Sequence, residues 1–360
     1  MSKNREEKLW DARFIKTIRT VAPGTPLRDG LENILRAKMG ALVLVSDRSS
    51  VMELVDGGFI LNCEYTPSGF YELAKMDGAI VISNDASRIL SANAQLVPSS
   101  SITTKETGTR HRTAERVARQ TGGLVIAISQ RRNLITLYLG NLRYTLKDTS
   151  VIVNRANQAL QTLEKYRSVL SKGLTTLTAL EFEDLVMLSD VAALIIRAEQ
   201  ASRIARDVAR DVIELGHEGR LISMQLEELV PEQDEVHLLI KDYCLSADPE
   251  THHNVRDQLA ELLEEALEPY NICRLLGYGV TPNAMDVPVA PRGYRVLQLL
   301  PRIPMPVVEN LVSNLKTLHR VYNSSIVELD DVEGIGEVRA KTIKDGLKRL
   351  REQALMDRHI

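Results

Sequence analysis

Five consecutive polar residues in the first third of the chain are of the types that hold phosphate. They are Thr109, Arg110, His111, Arg112 and Thr113. Apolar residues at helical spacing follow them and Gly122 can end the run, so the pattern predicts a helix over residues 113–120. The basic residues would then stand at a loop-to-helix junction, where free backbone N–H groups and the positive end of the helix dipole favour anions, phosphate above all. The alternative is a solvated charged turn.

A carboxylate that can act with these cations is Asp77, which stands between a predicted helix and the apolar run at 79–83. Gly78 follows it and allows close approach of the backbone. By itself an Asp-Gly pair more often forms a turn. Combined with residues 109–112, it supplies one carboxylate and several cations to one locus, which is the minimum for phosphoryl or nucleotidyl transfer with a metal held partly by Asp77.

Further basic residues follow Ser129, at the end of another apolar run. Arg131 and Arg132 would extend the phosphate site if they face it. A solvated turn explains them equally well.

Elements of two kinds alternate around these residues up to about Lys147. Strands are predicted at 40–45, 79–83, 87–97, 124–129, 134–139 and 141–146. Helices are predicted at 5–20, 27–39, 68–76 and 113–120. Continuous apolar runs are typical of strands buried on both faces. We therefore expect residues 1–147 to form an α/β domain with a covered, mixed central sheet.

The pattern changes after Asp148. Apolar residues recur at helical spacing to about Leu276, and a glycine- and proline-rich connector follows. This predicts an all-α middle domain at 148–290 and a separate small all-α domain at 291–360.

The last segment contains a tight turn between two predicted helices. Glycines in that turn let backbone N–H groups approach a phosphate closely. The turn resembles a helix–hairpin–helix motif, a sequence-independent reader of the DNA backbone, and a degenerate copy at 299–308 would complete a tandem pair. The predicted DNA-binding residues are Gly334, Ile335, Gly336, Arg339, Lys341 and Lys344. A plain helical turn with a solvated basic face is the alternative.

Composition limits the other possibilities. The net charge of −3 means that any contact with nucleic acid must come from a local basic patch. Three scattered cysteines argue against a disulfide framework and lack the spacing of zinc ligands. The charged N-terminus does not resemble a signal peptide, and no apolar run approaches the roughly twenty residues of a membrane span. We therefore expect a soluble cytoplasmic protein with no membrane contact.

The pair Asp77-Gly-Ala and Thr109-Arg-His-Arg112 resembles the paired signature of diadenylate cyclase domains. With a helical middle and a terminal helix–hairpin–helix segment, the whole chain resembles the DNA integrity scanning protein family. This resemblance implies condensation of two ATP molecules to cyclic di-AMP with release of two pyrophosphates. Two cyclase domains would face each other across a two-fold axis, so that each 3′-hydroxyl attacks the other nucleotide's α-phosphate.

The same resemblance assigns roles to individual residues. Asp77 would coordinate Mg²⁺ or Mn²⁺ and help activate the 3′-hydroxyl, with Arg110 and His111 as its catalytic partners. Residues 109–113 would hold the triphosphate, and Gly78, Leu96 and Ser129 would lie at the nucleoside. The family further implies a homo-octamer that binds branched DNA such as Holliday junctions, with a lower cyclase output when DNA is bound.

Two other functions are compatible with parts of the pattern. The chain could be a non-catalytic, nucleotide-binding scaffold that recognises branched DNA without turnover. It could also be a junction nuclease, but that would need several acidic residues at one metal site, and Asp77 has no acidic neighbour within its motif.

Overall fold

The computed structural model describes residues 10–231, 234–279 and 285–357. The chain forms two compact units, one of residues 1–158 with 208–224 and the other of residues 159–207 with 225–360. The first unit is larger than the predicted domain of residues 1–147, because it also includes residues 148–158 and 208–224. The second unit contains the rest of the predicted middle domain together with the predicted C-terminal domain, and each of these two parts has its own hydrophobic core.

The first unit is an α/β structure. Its strands are β1 Ala41–Val45, β2 Val55–Asp56, β3 Phe59–Glu64, β4 Ala79–Ile82, β5 Arg88–Leu96, β6 Leu124–Ser129, β7 Leu134–Leu139 and β8 Leu142–Thr145. The helices that precede the end of β8 are α1 Ala12–Thr20, α2 Pro26–Arg36, α3 Ser49–Met52, α4 Pro67–Leu73 and α5 Thr109–Thr121. The sequence patterns did not indicate α3, β2 or β3, and α5 begins four residues before the predicted start at 113.

The eight strands form one mixed sheet in the order β2-β5-β4-β1-β6-β7-β8, with β3 also paired to β5. β1 and β4 run parallel, and every other pair is antiparallel. The prediction of an α/β domain with a mixed central sheet is therefore confirmed.

Both faces of the central strands of this sheet are covered. Val43 and Ile80 belong to a core with α1, α2 and α4, whereas Leu44 and Val81 belong to a second core with α5. Alternate side chains of a strand point to opposite faces, so a strand covered on both sides must be apolar throughout. This is why the runs at β1, β4 and β6 could be recognised in the sequence.

The second unit is helical. The remaining helices are α6 Thr149–Glu183, α7 Leu188–Leu215, α8 Arg220–Leu229, α9 Glu235–Tyr243, α10 Pro249–Glu261, α11 Pro269–Leu275, α12 Tyr294–Gln298, α13 Met305–Leu315, α14 Leu318–Asn323, α15 Ile326–Asp330 and α16 Glu337–Asp357, with 3₁₀ turns at Gly216–Gly219 and Glu264–Ala266. α6 and α7 belong to both units over different parts of their length. In the described part of the chain, no helix has the length and apolar character needed to cross a membrane.

Buried charges hold the start of α12 within the second unit. Asp242 of α9 accepts hydrogen bonds from the backbone N–H groups of Gly293, Tyr294 and Arg295. The Arg295 guanidinium pairs with Glu181 of α6, whose side chain is fully buried. Three backbone donors and a guanidinium thus satisfy two carboxylates that would otherwise be costly to bury.

Candidate active site

The predicted nucleotide-binding residues lie at one edge of the sheet. β1 and β4 are parallel, so Gly40 and Gly78, which directly precede them, lie at the same edge. β6 and β5 run antiparallel to these two strands, so their last residues, Ser129 and Leu96, lie there too. Neighbouring strands are about 5 Å apart. Asp77, one residue before Gly78, therefore lies at the same edge as Ser129, two strands away.

The N-terminus of α5 lies at this edge as well. Gly108 is the N-cap residue, so Thr109, Arg110 and His111 form the first turn of the helix and do not lie in a loop before it. The Arg110 guanidinium lies against the backbone of Gly40, in the space that a Cβ at position 40 would occupy. Asp77 and the basic first turn of α5 thus lie at the same edge of the sheet.

Gly78 is required by its surroundings. A Cβ at this position would overlap the backbone of Asn93 and Ala94 in β5. Asn93 adopts a left-handed backbone conformation (φ 54°) where the β4–β5 register shifts, and its Oδ1 accepts a hydrogen bond from the Gly78 N–H at 3.1 Å. The space beside Gly78 is therefore taken by protein backbone.

Asp77 has the features of a ligand for a hard divalent cation. Its side chain is exposed, and among the described residues no hydrogen bond or ion pair engages it. Within the same residues, no group of three or more His, Cys, Asp and Glu side chains could hold a metal by themselves. Mg²⁺ is commonly held by one or two carboxylates together with substrate phosphates and water. The residues present therefore fit a cation that arrives with a nucleotide.

A hydrogen-bond network beneath the first turn of α5 connects its histidine to a partly buried carboxylate. His111 Nδ1 lies 2.9 Å from Tyr138 Oη, and Tyr138 Oη lies 3.0 Å from Glu106 Oε1. Arg143 Nε donates to the same Glu106 oxygen at 2.6 Å. Tyr138 is in β7 and only 1% exposed.

The charges around this network shift its titration. Burial opposes ionisation of Glu106, but the hydrogen bond from Tyr138 and the nearby Arg143 guanidinium outweigh it and hold the pKa of Glu106 below its usual value. Burial lowers the pKa of His111; Glu106 opposes this shift, whereas the cations Arg143, Arg132 and Arg110 reinforce it. At neutral pH the network therefore contains an ionised Glu106 and a neutral His111.

Two family models match this chain over adjoining segments. The nucleotide-binding model of the DisA bacterial checkpoint controller matches residues 28–142, and the model of its linker region matches residues 146–285. The DNA integrity scanning protein DisA of Carboxydothermus hydrogenoformans is 55% identical over 345 residues, which cover 95% of this chain and 98% of that protein. The protein of the same name from Clostridium tetani is 54% identical over 353 residues, 97% of each chain. The chain belongs to the DisA family.

Membership of the DisA family confirms the predicted resemblance and identifies the enzyme as a diadenylate cyclase. The match at 28–142 places the nucleotide-binding domain on the α/β unit, and the linker match places the linker region on helices α6 to α11. Among solved structures, DacA from Staphylococcus aureus aligns with 41% of this chain and 93% of its own at 18% identity, with a TM-score of only 0.29.

The predicted site residues of this DisA-family chain differ in their exposure and contacts. Thr109 and Arg112 are exposed on α5, and Thr113 is half-buried. Leu96 is 7% exposed and packs in the core beneath α5, and Ser129 Oγ accepts a hydrogen bond from the Arg132 N–H at 3.3 Å. Arg131 and Arg132 are exposed, so both interpretations of them stay open.

Sequence reasoning missed three contributors to this DisA-family site, namely Gly40, Tyr138 and Arg143. Gly40 directly precedes a buried strand that pairs in parallel with the strand after Asp77, and this was the one usable signal. Tyr138 and Arg143 give no local signal, because only the β6–β7–β8 pairing brings them to His111.

Replacement of Gly40 by alanine tests the contact between β1 and Arg110. The new Cβ would displace the guanidinium, which is the mobile end of a long side chain, and would lie 3.2 Å from the Ile128 carbonyl oxygen, which needs only a small shift. We therefore expect the fold to persist and ATP binding to weaken several-fold. Titration of the variant with ATP and thermal unfolding would measure both effects. Gly140→Ala is a suitable control for glycine replacement itself, because nothing lies within 4 Å of a Cβ there, although its positive φ adds backbone strain. Unchanged ATP affinity in Gly40→Ala would contradict this assignment.

Proposed function

We propose that this DisA-family cyclase condenses two ATP molecules by attack of each ribose 3′-hydroxyl on the α-phosphate of the other, across a two-fold interface between two copies of the α/β unit. The observation that supports the proposal is that Asp77 and the first turn of α5 lie at the same edge of the sheet. One such edge supplies the Asp77 carboxylate and one set of cations. Two edges facing each other would supply both halves of a symmetric reaction.

Each residue has a defined task in this reaction. The N–H groups at the start of α5 and the cationic Arg110 would bind and orient the triphosphate. Asp77 would hold Mg²⁺ or Mn²⁺, which when bound neutralises phosphate oxygens and makes the 3′-hydroxyl more acidic. Leu96, Gly78 and Ser129 would lie at the nucleoside.

The C-terminal helices support binding of a DNA backbone. Two hairpins, at 299–304 and 331–336, each connect two helices, and their backbones follow the same succession of turns and bends. Arg302 in the first (φ 64°) and Gly334 in the second (φ 85°) both adopt the left-handed conformation, and Ile303 and Ile335 are buried beneath them. The position of Gly336 is taken by Pro304 in the first hairpin, which lacks the N–H group. The second hairpin is therefore the better phosphate ligand, and the first serves mainly for packing.

The basic side chains of α16 differ in availability. Lys341 is exposed. Lys344 Nζ donates to the backbone carbonyls of Tyr322 and Ser324, at 2.6 Å each. Arg339 donates to the Gly334 carbonyl at 2.6 Å and thereby braces the second hairpin. Lys341 is thus a candidate for contact with phosphate, whereas Lys344 stabilises the end of α14.

Lys341→Glu should weaken binding to branched DNA broadly, regardless of sequence, and reduce the slope of log K against log salt by about 1. Fluorescence anisotropy with a four-way junction over a range of salt concentrations would measure this. Lys172→Glu makes the same charge change at an exposed position of α6 and should bind as the wild type does. An unchanged affinity and slope for Lys341→Glu would refute this placement.

The product assay tests the proposed function as a whole. The protein is incubated with ATP and Mg²⁺ or Mn²⁺, with and without a four-way junction, and nucleotides are separated by chromatography. We expect cyclic di-AMP and pyrophosphate, less of both when the junction is present, and an octamer by light scattering. Junction binding without product under either metal would favour the nucleotide-binding scaffold. A cytoplasmic location goes with this function and stays a prediction.

A further inference from the structure

The hydrogen-bond network below α5 defines where its protons lie. Tyr138 Oη has one proton, and two neighbouring atoms could accept it, Glu106 Oε1 and His111 Nδ1. The Arg143 guanidinium, which also hydrogen-bonds to Tyr138, can only donate. The Glu106 carboxylate is ionised and can only accept hydrogen bonds. The phenol proton therefore points to Glu106, and Tyr138 Oη must accept a hydrogen bond from His111.

This arrangement fixes the histidine tautomer. A hydrogen bond from His111 to Tyr138 requires a proton on Nδ1. Burial and the neighbouring Arg143, Arg132 and Arg110 lower the pKa of His111, so a second proton on Nε2 is disfavoured. The Nε2 atom then has a free lone pair.

The Nε2 atom itself is buried and has no hydrogen-bond partner among the residues that the structure describes. His111 is in the first turn of α5, one residue from Arg110, whose guanidinium marks the sheet edge at Gly40. Burial of a polar atom without a hydrogen-bond partner costs free energy, unless a bound ligand supplies the partner.

We propose that Glu106 and Tyr138 are positioning residues that hold His111 in its Nδ1–H form, so that Nε2 meets the ATP–metal complex as a lone-pair donor. This inference rests on the proposed function, since it requires a nucleotide at this edge. A neutral imidazole in this form cannot donate a hydrogen bond to a phosphate oxygen. Its partner must be an electron-pair acceptor, either the hydroxyl proton of the ribose or the divalent cation.

The tautomer can be observed directly, without turnover. Full-length protein labelled with ¹⁵N-histidine and free of nucleotide should give long-range ¹H–¹⁵N correlations of one Nδ1–H tautomer for His111 at neutral pH, assigned with His111→Gln. A predominant Nε2–H form or an imidazolium would overturn the proposal. This result does not depend on cyclase activity, so it separates failure of the proposal from failure of the proposed function.

Tyr138→Phe removes the acceptor for Nδ1–H while keeping the ring. We expect a mixture of tautomers in the spectrum and a kcat roughly 10- to 100-fold lower, with a much smaller change in KM for ATP. Glu106→Gln should act in the same direction and give less than additive losses when combined with Tyr138→Phe. Unchanged tautomer and kcat in both variants would overturn the proposal.

Tyr144→Phe is the matched control. Tyr144 also donates to a carboxylate, that of Glu214 at 2.7 Å, in the same compact unit, but it does not contact His111. Its spectrum and kcat should match those of the wild type.

Two probes distinguish the ribose hydroxyl from the divalent cation as the partner of His111 Nε2. Weaker binding of ATP but not of 3′-deoxy-ATP by Tyr138→Phe would indicate the hydroxyl, whereas weaker Mn²⁺ binding with both nucleotides would indicate the cation.

Discussion

Asp77→Asn is expected to reduce formation of cyclic di-AMP by three or more orders of magnitude, on the order of what loss of a metal ligand or general base costs. The amide has nearly the same shape but loses the negative charge. Because Asp77 is exposed and makes no hydrogen bond within the described residues, nothing in the fold depends on it. Product chromatography with Mg²⁺ and with Mn²⁺ would measure the loss, and thermal unfolding should show an unchanged midpoint.

Asp29→Asn provides the matched control for this loss. Asp29 is an exposed carboxylate on α2, which covers the other face of the sheet from α5. We expect full activity in this variant. Full activity in Asp77→Asn with either metal would eliminate Asp77 from the reaction, and with it the assignment of this edge as the active site.

Arg295→Met is expected to destabilise the second unit by about 3–5 kcal/mol. The Arg295 side chain is 6% exposed and pairs with Glu181, which is fully buried and also accepts a hydrogen bond from Tyr243 at 2.5 Å. Without the guanidinium, the fully buried Glu181 carboxylate would lose its counter-charge. Urea unfolding followed by circular dichroism would show the loss as a lower midpoint.

The same substitution at an exposed ion pair serves as the control for Arg295. Arg36 pairs with Glu32 at 2.9 Å on α2 and is 75% exposed, so Arg36→Met should cost less than about 1 kcal/mol. Adding Glu181→Gln to Arg295→Met should recover part of the loss, because it removes the unpaired charge. Equal costs for the two single variants would contradict the assignment of Arg295 as a buried structural cation.

Local sequence patterns predicted the elements whose signal lies within one segment. The buried strands at β1, β4 and β6 were recognisable because both faces of the sheet are covered, which requires continuous apolar runs. β3 was missed because all six of its residues are exposed, so it lacks an alternation of buried and exposed positions. The start of α5 was placed late because its first turn is polar and its N-cap is Gly108, which has no side chain that could cap the helix.

The residues of the site also divide into those with a local sequence signal and those that only packing brings together. The sequence alone determined the chemistry available to this protein: the Asp77-Gly78 pair, a basic cluster next to a helix and a glycine hairpin near a basic helix. Tertiary structure decided which atoms meet. It placed Gly40 beneath Arg110, brought Tyr138 and Glu106 to His111, and engaged Lys344 with the end of α14. The physical reason is that pairing between strands distant in sequence is set by the packing of the whole unit, and no local spacing records it.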